Sequence, residues 1–389
     1  MADQTDMGWV GTWATTPSAT DGFSLDGQTL RMIVHTSIGG GTLRVRLSNA
    51  YGKQKLGVGA AHVALRSDGA DIIAESGRAL TFNGKASTTI AAGALVVSDP
   101  VELDVPALGD LAISIYLPGP VPDGFAITGH GGARQTNYIS PQGDFAAATS
   151  MTVESTTETY LLVSGLDVLA PAGTGAIVAL GDSLTDCNIS EVDANNRWPN
   201  QLARRLAARP GGRAFGIMNQ GIGGNRILHD ARGGSTLARF DRDVLAQPGV
   251  THVIAFLGIN DIRNRNRKPE EDVTTADMIA GFNQLAVRAQ TAGLKIFVGT
   301  ILTFENENYN PPPDLPGFYT PEREATRQEI NAWIRDGGAF DGVMDFEAAL
   351  RDPDHLTRML PTYDCGDHLH PSDAGYLHIG DSIDLSLFD

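Results

Sequence analysis

The hydrophobic pattern of this 389-residue chain changes its period once, near residue 170. Before that point, short runs such as residues 43–48 and 111–116 alternate apolar and polar side chains. Alternation with a period of two is typical of strands that expose one face. Gly, Asn and Asp separate these runs, and no helical stretch of comparable length interrupts them. The pattern predicts a β-sandwich or jelly-roll domain over residues 1–169.

A different pattern follows a Pro- and Gly-containing stretch at residues 170–175, which we interpret as a linker. Near-continuous apolar runs occur at residues 177–180, 217–218, 253–257 and 296–298, with helical segments between them. The better helix candidates are residues 198–209 and 274–292, and residues 320–324 open a further helix. Continuous apolar strands that alternate with helices predict a parallel sheet covered on both faces. We therefore expect an α/β domain over residues 170–389.

The formal net charge of −17 argues against two classes of partner, nucleic acids and anionic membrane surfaces, because both would repel the chain. No apolar stretch is long enough to cross a bilayer. Residues 1–6 are acidic and polar and do not resemble a secretory signal. This leaves a cytoplasmic protein, or a secreted or periplasmic one that has been trimmed. The sequence does not fix the oligomeric state.

The tetrapeptide Gly181-Asp182-Ser183-Leu184 comes directly after an apolar run at residues 176–180. Such a run predicts a buried strand that ends at the carboxyl edge of the sheet, where open α/β sheets bind ligands. Ser183 is a candidate nucleophile at this edge. A serine hydroxyl is hardly ionised at neutral pH, so the chemistry also needs a base, an orienting acid and donors to an oxyanion.

Three further motifs in the second half could supply these parts. In the glycine-rich turn at residues 219–225, backbone N–H groups can face a ligand, and Gly224 is the preferred donor. Asn260, after another apolar strand, offers its carboxamide as a second donor. Asp367 precedes His370 by three residues, just ahead of a predicted helix. This spacing lets the carboxylate bind imidazole Nδ1 and leaves Nε2 for the serine.

Alternatives remain open for the base and for the acid. His368 competes with His370, but only His370 has an acid three residues before it and a proline directly after it. Asp364 or Asp373 could replace Asp367. No group of His, Cys and acidic residues has the spacing of zinc ligands, so we expect no catalytic metal and no cofactor.

The order Ser, Gly, Asn, Asp-x-x-His resembles the SGNH hydrolases, also called the GDSL esterase and lipase family, across residues 175–389. Residues 9–14, 319–324 and 363–371 resemble a bacterial subgroup with an added N-terminal β domain. The resemblance implies a flavodoxin-like three-layer α/β/α domain. It also implies a triad and an oxyanion hole, whose members are Ser183 as nucleophile, His370 as general base and acid, Asp367 as orienting acid, and the Ser183 N–H, Gly224 N–H and Asn260 side chain as donors.

The activity that this resemblance implies is hydrolysis of short-chain carboxylic esters through an acyl-enzyme. The substrate would be a small-molecule or carbohydrate ester. A carbohydrate O-acetylesterase and an acyltransferase are alternatives with the same nucleophile. A protein of another class, a glycan-binding protein with an inactive hydrolase domain, is a further alternative.

Two additional features lie beside these motifs. Cys187 follows Ser183 by four residues and Cys365 precedes Asp367 by two, so the thiols should approach each other if the motifs meet. A disulfide and two free thiols are both open, and the resemblance gives one reason to suspect a link, because relatives often carry small residues at these positions. The basic segment at residues 262–268 contains Arg263 and Arg265. It could bind an anionic substrate group, although such runs are more often solvated loops.

Overall fold

The computed structural model describes residues 7–121, 126–265, 269–308 and 318–389. The chain divides into two compact units. The first extends to Thr174 and includes the short segments Val192–Ala194 and Ala214–Met218. The second comprises Gly175–Glu191, Asn195–Arg213 and Asn219–Asp389. None of the helices within these described ranges is long and apolar enough to cross a membrane.

The first unit is all-β, as the alternating pattern predicted. Its antiparallel sheets have the orders β1-β16-β4-β10, with β9 on β4, then β14-β13-β3-β11-β6-β7, β15-β12-β2 and β5-β8. The strands are β1 Met7–Ala14, β2 Ser18–Thr20, β3 Gln28–His35, β4 Gly40–Ser48, β5 Leu56–Val58, β6 Ala60–Leu65, β7 Arg78–Leu80, β8 Thr88–Ile90, β9 Leu95–Val97, β10 Val101–Val105, β11 Asp110–Tyr116, β12 Ile127–Gly131, β13 Asn137–Gln142, β14 Ser155–Thr157, β15 Thr159–Leu161 and β16 Val163–Pro171. A short 3-10 turn, Ala74–Ser76, precedes β7.

The prediction of one exposed face per strand is wrong for β3 and β11. Leu111 and Ile113 of β11 point into the large core between the sheets, whereas Ala112 belongs to a second buried cluster on the opposite face. Arg31 of β3 explains this burial, because it donates to Ser114 Oγ at 2.8 Å and to the Ala148 carbonyl at 2.8 Å. The segment that carries Ala148 thus covers the outer face, and short polar residues on that face are buried.

The start of the predicted linker belongs to a strand. Ala170 and Pro171 lie in β16 and pair with Gly8 and Met7. Thr174 N–H then bonds the Pro171 carbonyl at 3.0 Å, which closes a tight turn with Gly173 at φ +90°. Proline is tolerated in this place because it is the last residue of its strand. The division into a β domain over residues 1–169 and an α/β domain over residues 170–389 stays a prediction.

The second unit is an α/β fold, which confirms the predicted fold class. Its parallel sheet has the order β18-β17-β19-β20-β21, and of the edge strand β18 only residues 219–221 are grouped with this unit. The strands are β17 Gly175–Gly181, β18 Phe215–Gly221, β19 Val250–Phe256, β20 Lys295–Gly299 and β21 Gly342–Met344. The helices are α1 Ser183–Asp186, α2 Trp198–Ala208, α3 Thr236–Phe240, α4 Ile259–Arg263, α5 Thr275–Thr291, α6 Pro321–Asp336, α7 Phe346–Leu350 and α8 Asp373–Ser382. A π-helical turn, Asp241–Leu245, and 3-10 turns, Pro269–Glu271 and Leu385–Phe388, complete these elements.

Local sequence signals explain where these elements begin. All of β17 is buried, as expected for a strand of a sheet covered on both faces. Thr274 caps α5 in a reciprocal capping box with Asp277, and Thr320 caps α6 before Pro321 in the first turn. The predicted helices at residues 198–209 and 274–292 are confirmed to within two residues.

The parallel sheet determines where the sequence motifs lie. β17 and β19 run in the same direction, with Gly181 paired to Phe256 at their carboxyl ends. The residues that follow these strands, Ser183 and Asn260, therefore emerge at the same edge. The predicted glycine-rich turn, residues 219–225, overlaps the last three residues of β18, which is the neighbour of β17 on its other side.

Substitutions at Ile254 test the burial of the central strand, β19. It is fully buried in β19, between Ala179 of β17 and Phe297 of β20. We expect Ile254→Ala to lower the free energy of unfolding by about 2–5 kcal/mol, and Ile254→Val by about 0.5–1.5 kcal/mol. Urea unfolding measures both. Val287→Ala on the exposed side of α5 is the control, with an expected change below about 0.5 kcal/mol. Equal losses for Ile254→Ala and Val287→Ala would contradict this packing.

Candidate active site

Ser183 is the first residue of α1, directly after the strand β17 and its N-cap, Asp182. Asp182 Oδ1 accepts the Leu184 N–H at 2.9 Å, which fixes the first turn of this short helix. The Ser183 N–H lies in the same turn, and no protein acceptor for it occurs among the described residues. The Ser183 side chain and the Ser183 N–H therefore lie together at the start of α1, where both are available to one ligand.

Ser183, His370 and Asp367 form one chain of hydrogen bonds. His370 Nε2 lies 2.9 Å from Ser183 Oγ, and His370 Nδ1 lies 2.7 Å from Asp367 Oδ2. A carboxylate can only accept, so Nδ1 carries the proton and Nε2 accepts from the serine hydroxyl. Asp367 Oδ1 also accepts the N–H groups of Leu369 and His370 at 2.9 and 2.8 Å.

The charge of Asp367 is favoured by its partners. Burial alone would raise its pKa, but hydrogen bonds from the His370 ring and from two backbone N–H groups outweigh burial. The net effect holds the pKa of Asp367 well below its usual value. Asp367 is therefore ionised at neutral pH and orients the imidazole.

The alternative base and acids make other contacts. His368 binds Asp364 through Nδ1 at 2.6 Å, and 43% of its side chain is exposed. Asp373 accepts the Glu191 N–H at 2.9 Å and the Asn196 amide at 2.7 Å. No contact joins His368, Asp364 or Asp373 to Ser183 within the part of the chain that the structure describes. The geometry favours His370 and Asp367.

Gly224 lies in a tight turn, closed by the Asn225 N–H on the Ile222 carbonyl at 3.1 Å. Its φ of +72° is in the left-handed region, where glycine is favoured. Apart from its neighbours in the chain, no described residue has an atom within 4 Å of the position that a Cβ would take. No described residue accepts its N–H, so this group is available to a ligand.

Asn260 connects the motifs. Gly258, at φ +113°, precedes α4 and lets Asn260 follow immediately after the strand. The Asn260 amide nitrogen donates to the Asn225 carbonyl at 3.1 Å and approaches Asp182 Oδ2 at 3.4 Å. Its side chain therefore lies between the residue before Ser183 and the residue after Gly224.

Two buried carboxyl groups beside the site, Asp182 and Asp261, were not predicted as site residues from the sequence. Asp261 accepts the Ile227 N–H at 3.0 Å with both oxygens, and so holds α4 against the segment after the glycine-rich turn. Burial raises the pKa of Asp261 to about 6. Burial also raises the pKa of Asp182 to about 7, and the Asp261 charge adds to this rise. The sequence feature that could have indicated them is their position. Asp182 directly precedes Ser183 and Asp261 directly follows Asn260, each shortly after an apolar strand.

Arg239 is a further buried residue that sequence reasoning missed. Its guanidinium donates to the Gly181 carbonyl and the Gln220 carbonyl, both at 2.8 Å, and to Asn225 Oδ1 at 2.9 Å. Asp243 pairs with it at 2.9 Å. Arg239 thus joins the ends of β17 and β18 to the glycine-rich turn. A single arginine in a five-residue helix carries no sequence signal for this role.

Arg263 and Arg265, the possible binders of a substrate anion, both have protein partners, and their role in substrate binding stays a prediction. Arg263 is 7% exposed and forms an ion pair with the buried Glu307. Arg265 is half-buried and donates to Thr326 Oγ1. The basic run suggested one surface, but α4 includes Arg263 and turns it inward. Residues 266–268 of the run lie outside the described residues.

Cys187 and Cys365 are free thiols, so the structure contains no disulfide between them. Cys187 is fully buried, and its thiol donates to the Thr185 carbonyl at 3.3 Å. Burial raises the pKa of Cys187 above its usual range and that of Cys365 to about 12. Each sulfur is thus in its unreactive, protonated form.

One cluster in the described part of the chain has metal-ligand proximity. Ligand atoms of Asp364, Cys365 and Asp367 lie within 4.8 Å of one another. Both carboxylates already have partners, since Asp367 binds His370 and Asp364 binds His368 and the Gly366 N–H. We assign no metal to this cluster, and the absence of a catalytic metal stays a prediction.

The free thiols give a direct test. Unfolding without reductant should expose two thiols per chain to a thiol reagent such as dithionitrobenzoate. In the folded protein we expect slow reaction, because Cys187 is buried and the Cys365 thiol has a raised pKa. An unfolded, unreduced chain without reactive thiols would show that the disulfide forms.

The pKa of Asp182 predicts a pH dependence of stability. The unfolded value is near 3.9 and the folded value is about 7, so the folded protein holds the extra proton between them. This group therefore stabilises the fold at low pH, and its contribution falls as pH rises from about 4 to about 7. Asp182→Asn should remove this slope, with a relative gain on the order of 4 kcal/mol across that range.

Denaturant unfolding at several pH values measures this difference between the variant and the parent. Asp336→Asn, at the exposed end of α6, is the matched control. Parallel pH profiles for the parent and Asp182→Asn would contradict the raised pKa.

Comparison with known proteins identifies the family of the chain. Similar solved structures include a protein assigned to the G-D-S-L lipolytic family from Desulfitobacterium hafniense (21% identity, 53% of this chain and 96% of that chain, TM-score 0.39). They also include an acetylxylan esterase from Geobacillus stearothermophilus (21% identity, 54% and 91%, TM-score 0.41). Among curated proteins, no significant match was found. The model of the GDSL-like lipase/acylhydrolase family matches residues 179–377, just over half of the 389 residues, and the chain therefore belongs to this family.

Proposed function

We propose that this protein is a serine esterase that hydrolyses short-chain carboxylic esters through an acyl-enzyme on Ser183. The hydrogen-bonded chain from Ser183 through His370 to Asp367 is the observation that carries the proposal. A nucleophile, a base and an orienting acid in this arrangement form the working set of a serine hydrolase.

The first step is attack of Ser183 Oγ on the ester carbonyl carbon. His370 Nε2 takes the hydroxyl proton as the new C–O bond forms, since it already lies 2.9 Å from Oγ. The resulting imidazolium is stabilised by the ionised Asp367, whose lowered pKa keeps it from taking the proton itself.

The negative charge that develops on the carbonyl oxygen is stabilised by three donors. The N–H groups of Ser183 and Gly224 have no described protein acceptor, so they need not break a bond to reach the oxyanion. The Asn260 amide has one hydrogen on the Asn225 carbonyl and a second held only by the long contact to Asp182. Donors fixed before the reaction lower the barrier most because they need no reorganisation.

The tetrahedral intermediate then collapses. His370 returns its proton to the alcohol oxygen as the C–O bond to the alcohol breaks, which leaves an acyl group on Ser183. Water repeats the sequence with His370 as base, and the acid and free Ser183 are formed. If a sugar or another alcohol replaced water in this second half, the same site would act as an acyltransferase.

Asn260→Ala tests the oxyanion donor. We expect kcat for p-nitrophenyl acetate to fall by about 100-fold or more, because one donor contributes about 3 kcal/mol to transition-state stabilisation. Ser183→Ala should reduce hydrolysis to the background rate. Asn283→Ala on α5, outside all these contacts, is the matched control and should keep the parent rate. Near-parent turnover of Asn260→Ala would contradict its role.

Substrate class is tested with a panel of p-nitrophenyl esters of increasing acyl length beside acetylated sugars. A higher kcat/KM for acetylated sugars than for simple acetates would support the O-acetylesterase alternative. Acyl transfer to added alcohols or sugars would support the acyltransferase. Covalent labelling of the parent, but not of Ser183→Ala, by a fluorophosphonate separates an active hydrolase from a binding protein with an inactive domain.

A further inference from the structure

Arg263 is a buried arginine in contact with the Asn260 carboxamide. Its Nη1 donates to Asn260 Oδ1 at 3.2 Å, and its Nη2 forms the ion pair with Glu307 Oε1. The guanidinium carbon lies 4.0 Å from the centre of the Phe318 ring. The side chains of Arg263 and Glu307 are 8% and 0% exposed. Three partners therefore fix this guanidinium in one position.

The contact to Asn260 sets the orientation of its amide. The oxygen and nitrogen ends of an asparagine side chain have nearly the same shape, so packing alone does not distinguish them. A guanidinium has only donors and can face only the oxygen. With Oδ1 on Arg263, the nitrogen must point to the opposite side, where it meets the Asn225 carbonyl.

The same contact changes the strength of the amide as a donor. The positive charge of the guanidinium that donates to Oδ1 withdraws electron density from the amide. This makes the N–H groups of the amide stronger donors. The effect is largest in a buried site, where water does not screen the charge. An oxyanion that accepts from this nitrogen would be stabilised more than by an isolated asparagine.

We propose that Arg263, held by Glu307, is a positioning residue that orients and polarises the Asn260 carboxamide for the transition state. The proposal rests on the proposed function, because it requires Asn260 to donate to the oxyanion. A buried ion pair is weak evidence for a role in stability alone. Here one partner of the pair also contacts the predicted oxyanion donor, which a purely structural pair has no need to do.

The variants must keep the fold. Removal of Arg263 alone leaves Glu307 buried without its ion-pair partner Arg263, which is strongly destabilising. The double replacement Arg263→Met with Glu307→Gln removes both charges and keeps similar volumes. Arg288→Met is the matched control, because Arg288 also stacks on an aromatic ring, Phe240, and pairs with an acid but makes no contact with Asn260. Circular dichroism and thermal unfolding establish that each variant is folded.

The test is a cycle of kcat and KM for p-nitrophenyl acetate, measured with the double replacement in the parent and in Asn260→Ala. With Asn260 present, we expect kcat to fall by about tenfold to a hundredfold while KM changes little, since a hydrogen bond to a charged group is lost. In Asn260→Ala the same replacement should cause no further fall in kcat. Arg288→Met should leave kcat unchanged in both backgrounds.

Each other outcome has a distinct meaning. A large effect of Asn260→Ala together with no effect of the double replacement would overturn the positioning role and leave the proposed function intact. Equal losses in both backgrounds would show a general structural effect and also overturn it. If Asn260→Ala itself kept the parent rate, the role of Asn260 and this proposal would fall together.

Chemical rescue gives a second readout, because it shows whether a returned guanidinium acts through Asn260. The rescue uses Arg263→Ala under conditions where circular dichroism shows that this destabilised variant is still folded. Added guanidinium ion at low concentration can then occupy the vacated site between Glu307 and Asn260. We expect a saturable rise in kcat that sodium chloride at equal ionic strength does not reproduce. The same addition should not raise kcat in the double variant Arg263→Ala with Asn260→Ala, which also has the vacated site. An equal rise in that double variant, or no rise in folded Arg263→Ala, would overturn the proposal.

Discussion

The parallel pairing of β17 with β19 is the constraint on which the site depends. Because Gly181 pairs with Phe256 in the same strand direction, both strands deliver their next residues to one edge of the sheet. Ser183 and Asn260 are far apart in sequence but reach this edge without any long loop between the strand and the functional residue. The helix α1 begins within two residues of β17, and α4 within three residues of β19. Rigid elements therefore position the proposed nucleophile and the proposed oxyanion donor.

Features with a local sequence signal could be predicted. Asp367 and His370 are three residues apart, and their contact follows from that spacing together with the backbone N–H groups between them. The period of the hydrophobic pattern was sufficient for the fold class of both halves. The strand ends of the second half marked Ser183, Gly224 and Asn260, since polar or glycine residues follow apolar runs there. These predictions use only neighbours along the chain, which is why they needed no knowledge of tertiary contacts.

Features that depend on distant partners could not be predicted. Asp261 binds Ile227 across 34 positions, and nothing in either segment indicates the other. Arg263 was assigned to a basic surface because its neighbours are basic, yet its buried partner Glu307 is 44 positions away. In the first half, Arg31 bonds a carbonyl 117 positions away and so buries a strand face that its pattern marks as exposed. In each case the environment of a buried charged side chain is set by partners that are distant in sequence. A local sequence pattern indicates only the average exposure of its residues.

The carboxyl of Asp261 has a mechanical consequence. It holds the segment after the glycine-rich turn through Ile227, while the adjacent Asn260 holds the same turn through the Asn225 carbonyl. The helix that carries Asn260 and the turn that carries Gly224 are thereby joined at two neighbouring points and must move as one body. The spacing of the Gly224 N–H and the Asn260 amide is then set before any substrate arrives. In the proposed esterase, the two oxyanion donors would thus keep the same spacing whichever acyl group is bound.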